Sequence, residues 1–456
     1  MFQFFAFTRR EWAILSVTSL GVFMSTLDAS VVNISLPSIT SYYHASLSSA
    51  EWVVMVYLLL LSSLLLTYGR LGDMIGHKKV YLSGMIIFTI ASLFCSFSPS
   101  IYYLIFFRGL QAIGGGMISA VVQAIIAANF EPARRGRAIG LNSMIVSMGL
   151  AAGPTIGGIL TSLYGWQSIF ILNIPIGMAG CIWAWRVLPQ QKGLTQKFDL
   201  LGAGTLFIGL AAFLLAMSHG QEWGWTSPAI LGLLFAGACS IFLFLYAEAH
   251  NDQPIVDLAL FKNRLFAVAN LTAMINYITQ YSVVFLMPFY LINALKYEPR
   301  MAGLLMTAFP LAMMMTSPFS GILCDWVSSR LLSTLGLGIS ALAVSLLSFV
   351  YLTQSLALVV IALALVGLGT GLFLTPNNKA IMGSVPPSQV GIASGMLAMM
   401  RSMGQVLGVA VSGAVFSSRL AVYGSGGYPL ALHDTYLVAL GIGVAGMIIS
   451  ANRGSS

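Results

Sequence analysis

Apolar runs of about twenty residues recur along this chain from Trp12 to Ala451, parted by short polar joints. As a helix, about 20 such residues cross the ~30 Å hydrocarbon layer of a bilayer, where lipid offers backbone polar groups no outside partner. The spacing predicts an all-α polytopic membrane protein and leaves no room for a soluble domain between the runs. Composition agrees: 58% of the 456 residues are hydrophobic and 7% are charged, against about 25% charged in an ordinary soluble domain. We count fourteen spans, the first Trp12–Leu36 and the last Asp434–Ala451. Arg9 and Arg10 precede the first run as in a signal peptide. That run is too long for one and lacks a small-residue cleavage site, so an uncleaved first helix is expected.

The net charge of +8 is spread over the joints without a dense basic tract, which argues for membrane topology and against a nucleic-acid partner. With the N-terminus in the cytoplasm, sixteen of the 21 Lys and Arg fall on inner joints, three on outer joints and two inside spans. Cytoplasmic joints carry the basic excess, so both termini are expected inside a plasma or inner membrane. Cys95, Cys181, Cys239 and Cys324 show no paired spacing, and the five histidines lie in joints or at span ends. No disulfide framework, metal site or cofactor is expected. The spans show no cluster of nucleophile, base or metal ligands, which argues against a membrane enzyme.

The joint GRLGDMIGHKKV, Gly69 to Val80, concentrates four charges among glycines. Gly69, Gly72 and Gly76 are expected to turn the chain tightly, and Lys78 and Lys79 to hold it on the positive side. Asp73 is expected to face a neighbouring helix N-terminus. Gly321, Leu323, Asp325 and Arg330 repeat the spacing of Gly69, Leu71, Asp73 and Lys78, each 252 residues later. Parallel repeats of this kind build transporters whose two halves rock about a central site.

With its partner stretches, the joint resembles the major facilitator superfamily, whose signature between helices 2 and 3 reads G-x-L-x-D-x-x-G-[RK]-[RK]. Gly69, Leu71, Asp73, Gly76 and Lys78 match; His77 stands where a basic residue is usual, and Met74 replaces a common Arg. LDASVVNISLP (Leu27–Pro37), FRGLQAIGGG (Phe107–Gly116) and GLAAGPTIGG (Gly149–Gly158) agree as well. The last resembles the helix-5 motif of exporters that exchange substrate for protons. FDLLGAGTL, EWGWTSP and MMRSMGQVLGVAV look like the fourteen-helix drug:proton antiporter branch. The resemblance implies two six-helix bundles, residues 1–188 and 264–456, with an inserted helix pair in 189–263. On its residues alone, GLAAGPTIGG reads as a helix bent at Pro154 that packs closely through glycines including Gly153. Ordinary small-residue packing remains the alternative.

Asp28 is the one acid deep inside a span, where a charge costs at least about 2.5 kcal/mol on insertion scales. Counting 1.5 Å per residue from the two span starts puts Asp28 and Arg108 near a common depth. Such a pair is either structural, each charge making the other tolerable, or a proton site governed by its cation. The resemblance implies the second, since the first-helix acid and fourth-helix Arg of such antiporters are implicated in proton coupling. Glu51, Glu222 and Asp434 are expected at outer helix ends or in joints, screened by water. One deep carboxylate suits about one proton per cycle and makes a divalent cation a poor substrate.

For a substrate wall the ninth span offers Asn276 with Gln280 and Tyr277 with Tyr281, two adjacent polar and aromatic ridges. Tyr57 and Gln111 are candidates for the same cavity, against the alternative of interhelical hydrogen bonding. Arg401 binds substrate or packs its helix. The function these readings imply is proton-coupled export of small, drug-like, cationic or neutral amphipathic compounds by a monomer. A dedicated metabolite or organic-anion exporter, or a proton-coupled importer, is the alternative of the same fold.

Overall fold

The computed structural model describes residues 7–190, 200–250, 258–324, 326–353, 355–386, 390–424 and 426–453. The described residues are helical almost throughout. The first six spans are α1 (Arg9–Tyr43), α2 (Leu47–Ile75), α3 (His77–Ser96), α4 (Ile101–Asn129), α5 (Pro132–Tyr164) and α6 (Asn173–Val187), the last entered through one turn at Ser168–Ile171. A pair follows, α7 (Leu200–Trp223) and α8 (Pro228–His250). The final six are α9 (Arg264–Phe289, continued by a wide turn at Tyr290–Ala294), α10 (Pro299–Met306 and Ala308–Leu323), α11 (Ser329–Ser348), α12 (Leu356–Gly383), α13 (Val390–Tyr423) and α14 (Tyr428–Ala451). Among the described residues thirteen helices are long and apolar enough to cross a membrane, and α7, with the apolar stretch Gly204–Gly220, makes the fourteenth.

Local chemistry explains the breaks. Thr8 and Glu11 cap α1 reciprocally, the Thr8 amide donating to the Glu11 carboxylate at 2.7 Å. Gly76 is the only residue between α2 and α3, and its φ of +98° is open to glycine alone at little strain. Gly69 and Gly72 do not turn the chain: both lie within α2, a correction to the expected three-glycine turn. Pro310 removes the donor that would serve the Met306 carbonyl, and α10 breaks at Thr307. In α5 Pro154 likewise orphans the Leu150 carbonyl, but the Ser30 hydroxyl of α1 donates to it at 3.1 Å, and the helix runs on.

α1–α6 pack together, as do α9–α14, and α7 with its partner α8 lies against α2 and α13. The 252-residue repeat holds in three dimensions. α3 crosses α4 where a Cβ on Gly84 would stand 2.8 Å from the Gly114 carbonyl, and α11 crosses α12 where one on Gly336 would stand 2.6 Å from that of Gly369. Gly336 lies 252 positions after Gly84. Between the halves α9 is the most enclosed helix, its span 89% buried, whereas the α8 span is 17% buried and faces outward along most of its surface.

The halves meet along α5–α10, α2–α13 and α1–α9. The α5–α10 contact lies toward the end of α10 remote from its repeat of the Gly69–Val80 joint. There a methyl on Gly303 would overlap the Pro154 carbonyl, one on Gly158 would overlap that of Pro299, and the Thr155 and Thr307 hydroxyls bond at 2.6 Å. Gly153 packs instead on Ser30 within the first half. The charge pattern makes this seam the outer one. At the opposite end Lys78 donates to the Trp185 carbonyl at 2.7 Å, and Asp73 meets His77 of its own joint at 3.0 Å. His77 opens α3, so Asp73 meets the first residue of the neighbouring helix within its own half; Asp325 lies outside the described residues. Arg453, counted with the inner joints, is 1% exposed and bonds Asn377 at 2.9 Å.

Orientation is open to direct test. With the native cysteines replaced, Gln190→Cys is expected to react with an impermeant maleimide only from the cytoplasm and Gly426→Cys only from outside. Labelling of both from one side overturns the alternation of spans.

Candidate functional site

Asp28, on α1, is fully buried in the first bundle, where four further helices supply its surroundings. From α4, Arg108 Nη1 donates to Asp28 Oδ2 at 2.5 Å, and Gln111 Nε2 to Oδ1 at 2.9 Å. From α6, Asn173 Nδ2 reaches the same Oδ1 at 2.7 Å. From α3, Ser92 accepts a second bond from Gln111 at 2.8 Å. Arg108 Nε donates to the Val53 carbonyl of α2 at 3.2 Å, and its guanidinium lies 4.4 Å from the centre of the Tyr57 ring. A buried carboxylate tolerates its charge only with a cation and further donors, and this one has both.

The cluster thus holds one carboxylate between one cation and two amide donors. Asn173 was not singled out in sequence, though a lone Asn in the apolar run FILNIP was a signal available there. Asn173→Leu, which removes one donor from the carboxylate, is expected to destabilise the protein by about 1.5 kcal/mol, the order of a hydrogen bond to a charged group, read as a lower melting temperature. An unchanged melting temperature would make Asn173 dispensable to the cluster.

A cavity of about 370 Å³ lies between the bundles, within the size range of small-molecule sites. Tyr277, Gln280 and Tyr281 of α9 and Arg401 of α13 line it, opposite Asn33 of α1. The Arg401 guanidinium sits 5.5 Å from the centre of the Tyr277 ring. Three expected wall residues stand elsewhere. Tyr57 and Gln111 belong to the Asp28 cluster, and Asn276 is 1% exposed with neither amide atom hydrogen-bonded among the described residues. Asp28 also lies off the cavity wall, although its neighbours Ala29 and Ser30 are in it.

Glu51 corrects a further expectation. It is 1% exposed, not screened by water: it packs on Gly413 of α13, and Ser218 of α7 donates to its Oε2 at 3.2 Å. Glu222 accepts from Ser48 nearby at 2.6 Å, and Asp434 pairs with Arg419 at 3.2 Å. Burial of Glu51 was hidden in sequence because it needs α2, α7 and α13 together.

Two helical halves about a central cavity, with a sealed charge pair in one, define a polytopic membrane transporter. The chain belongs to the Major Facilitator Superfamily, whose family model matches residues 18–247 and 269–451. It is 33% identical over 452 residues to the riboflavin transporter RibZ of Clostridioides difficile, covering 97% of each chain. It is 32% identical over 415 residues to the multidrug resistance protein Stp of Mycobacterium tuberculosis, covering 91% of this chain and 77% of that one. A POT family transporter solved in complex with 5-aminolevulinic acid shares the fold at a TM-score of 0.72 and 13% identity, with 96% of each chain covered. The chain is a bacterial-type plasma-membrane transporter rather than an enzyme.

Proposed function

We propose that the protein is a proton-coupled exporter of small amphipathic compounds. It works as a monomer by alternating access between residues 1–188 and 264–456, with 189–263 as an inserted pair. The observation that carries this reading is Asp28, sealed inside the first bundle with one cation. A proton on Asp28 releases the hold of α1 on Arg108, which rests on Val53 and Tyr57 of α2, and α2 closes against α13. The proton on one helix is thereby felt at the seam between the halves. Gly69, Asp73, Gly76, Lys78 and Asp325 serve the opposite, cytoplasmic gate, and Gly153 and Pro154 the helix that seals the outer one.

The relative named for multidrug resistance supports export of several compounds. A second reading, dedicated carriage of riboflavin, is favoured by the relative of that name, which matches along 97% of its length. Purified protein in liposomes under an imposed pH gradient decides between them. Gradient-driven movement of several unrelated compounds supports the first reading, and movement of riboflavin alone the second. Movement indifferent to the gradient overturns proton coupling.

A further inference from the structure

The wall of the central cavity is chemically lopsided. Among its described residues Arg401 is the only charged side chain, and no carboxylate faces it. The nearest deep acid, Asp28, is closed off by Arg108, Gln111 and Asn173. The same wall carries two side chains whose amide oxygens have no partner among the described residues: Asn33, on α1, through Oδ1, and Gln280, on α9, through Oε1. The two side chains are 6% and 7% exposed. Asn33 Nδ2 donates to the Ala29 carbonyl at 3.1 Å, which settles which atom of that amide is the oxygen. An unpaired buried acceptor is costly, and a ligand N–H or O–H removes that cost. Tyr277 and Tyr281, one turn apart, add aromatic faces beside the guanidinium.

We infer that the cavity selects neutral or anionic planar aromatic compounds carrying at least two N–H or O–H donors, and rejects lipophilic cations. This rests on the transport reading above and narrows its substrate class. One donor of the ligand pairs with Asn33 in the first bundle and another with Gln280 in the second. A carbonyl or acidic oxygen meets Arg401, and the ring system lies along the tyrosines. A ligand with both donors bridges the two halves; one lacking them leaves the buried oxygens unpaired, which is the strongest form of discrimination a polar site has. A lipophilic cation brings a like charge against Arg401 and supplies no donor.

The test uses thermal stabilisation of the purified protein and pH-driven uptake into proteoliposomes. The probes are 6,7-dihydroxycoumarin and lumichrome, each with two donors, their O- and N-methylated analogues, and the cations ethidium and tetraphenylphosphonium. The donor-bearing compounds are expected to stabilise and be carried, the methylated analogues to bind at least tenfold more weakly, and the cations to do neither. Asn33→Leu and Gln280→Met are each expected to weaken donor binding about tenfold. Without ligand they leave stability unchanged or raised, because each removes an unpaired buried oxygen, whereas a merely structural amide would lose stability. Arg401→Gln is expected to weaken anion binding and admit cations. Failure of every donor compound to stabilise, equal binding of the methylated analogues, or wild-type uptake of the cations overturns the inference. Gradient-driven uptake of cations alone would do so while leaving proton exchange standing. Uptake of the donor compounds indifferent to the gradient would remove proton coupling and leave the substrate class intact.

Discussion

Asp28→Asn is expected to lower transport driven by a pH gradient by at least a hundredfold, while substrate binding stays within a few fold of wild type. The asparagine keeps a side-chain oxygen for Gln111 and Asn173 but cannot carry a proton, and the substrate cavity lies on the other side of α1. The substitution also strands Arg108, 1% exposed, without its counter-charge. Breaking a buried pair on one side costs about 3–5 kcal/mol, so a lower melting temperature should accompany the transport defect. The double variant Asp28→Asn with Arg108→Gln is expected to regain much of the stability and none of the coupling. That separation, read by melting and by proton flux on the same preparations, distinguishes a proton site from a structural pair. Wild-type flux in Asp28→Asn would move the search to Glu51, the other fully buried acid in the first bundle.

Gly303→Val should be nearly as damaging, by a different route. Any side chain there collides with the Pro154 carbonyl of α5, a backbone atom that a rotamer change cannot move aside. The outer seam is expected to stay parted and transport to fall at least tenfold, with the fold of each bundle intact. A cysteine at Asn33 reports the change: in the variant it should react with an impermeant maleimide added outside at least tenfold faster than in the otherwise native chain, which opens outward for only part of its cycle. Normal transport by Gly303→Val would show that α5 and α10 need not close for turnover.

Depth was easier to read from sequence than direction. Hydropathy runs and the side of each lysine located Asp28 and Arg108 along their helices, and the structure pairs them at 2.5 Å. The direction in which a side chain leaves a helix is another matter when that helix is buried all round. α9 is enclosed on nearly every side, so no polar face distinguished Gln280, in the cavity wall, from Asn276, outside it. Gln111 turned to the Asp28 cluster instead, a placing that needs α1, α3 and α4 together. The sequence marked the joint as a turn but not which glycine makes it: Gly76 alone does, at positive φ, whereas Gly69 and Gly72 look identical on paper and are helical. The repeat was visible in the joints; the Gly84–Gly114 and Gly336–Gly369 crossings that give it physical meaning need two helices each.

The α7–α8 pair makes the surrounding lipid a mechanical participant. α7 lies against both α2 and α13, and α8 spreads most of its surface into the hydrocarbon. The halves therefore cannot rock without dragging this fin sideways through the acyl chains or sliding along it. Stretching or compressing the bilayer around such a fin costs a fraction of a kcal/mol per Å of mismatch. That work is delivered where α2 meets α13, the line along which the halves part. Membrane thickness and lateral tension are thus expected to act on the same balance of conformations as the proton proposed for Asp28, so that turnover varies with the lipid.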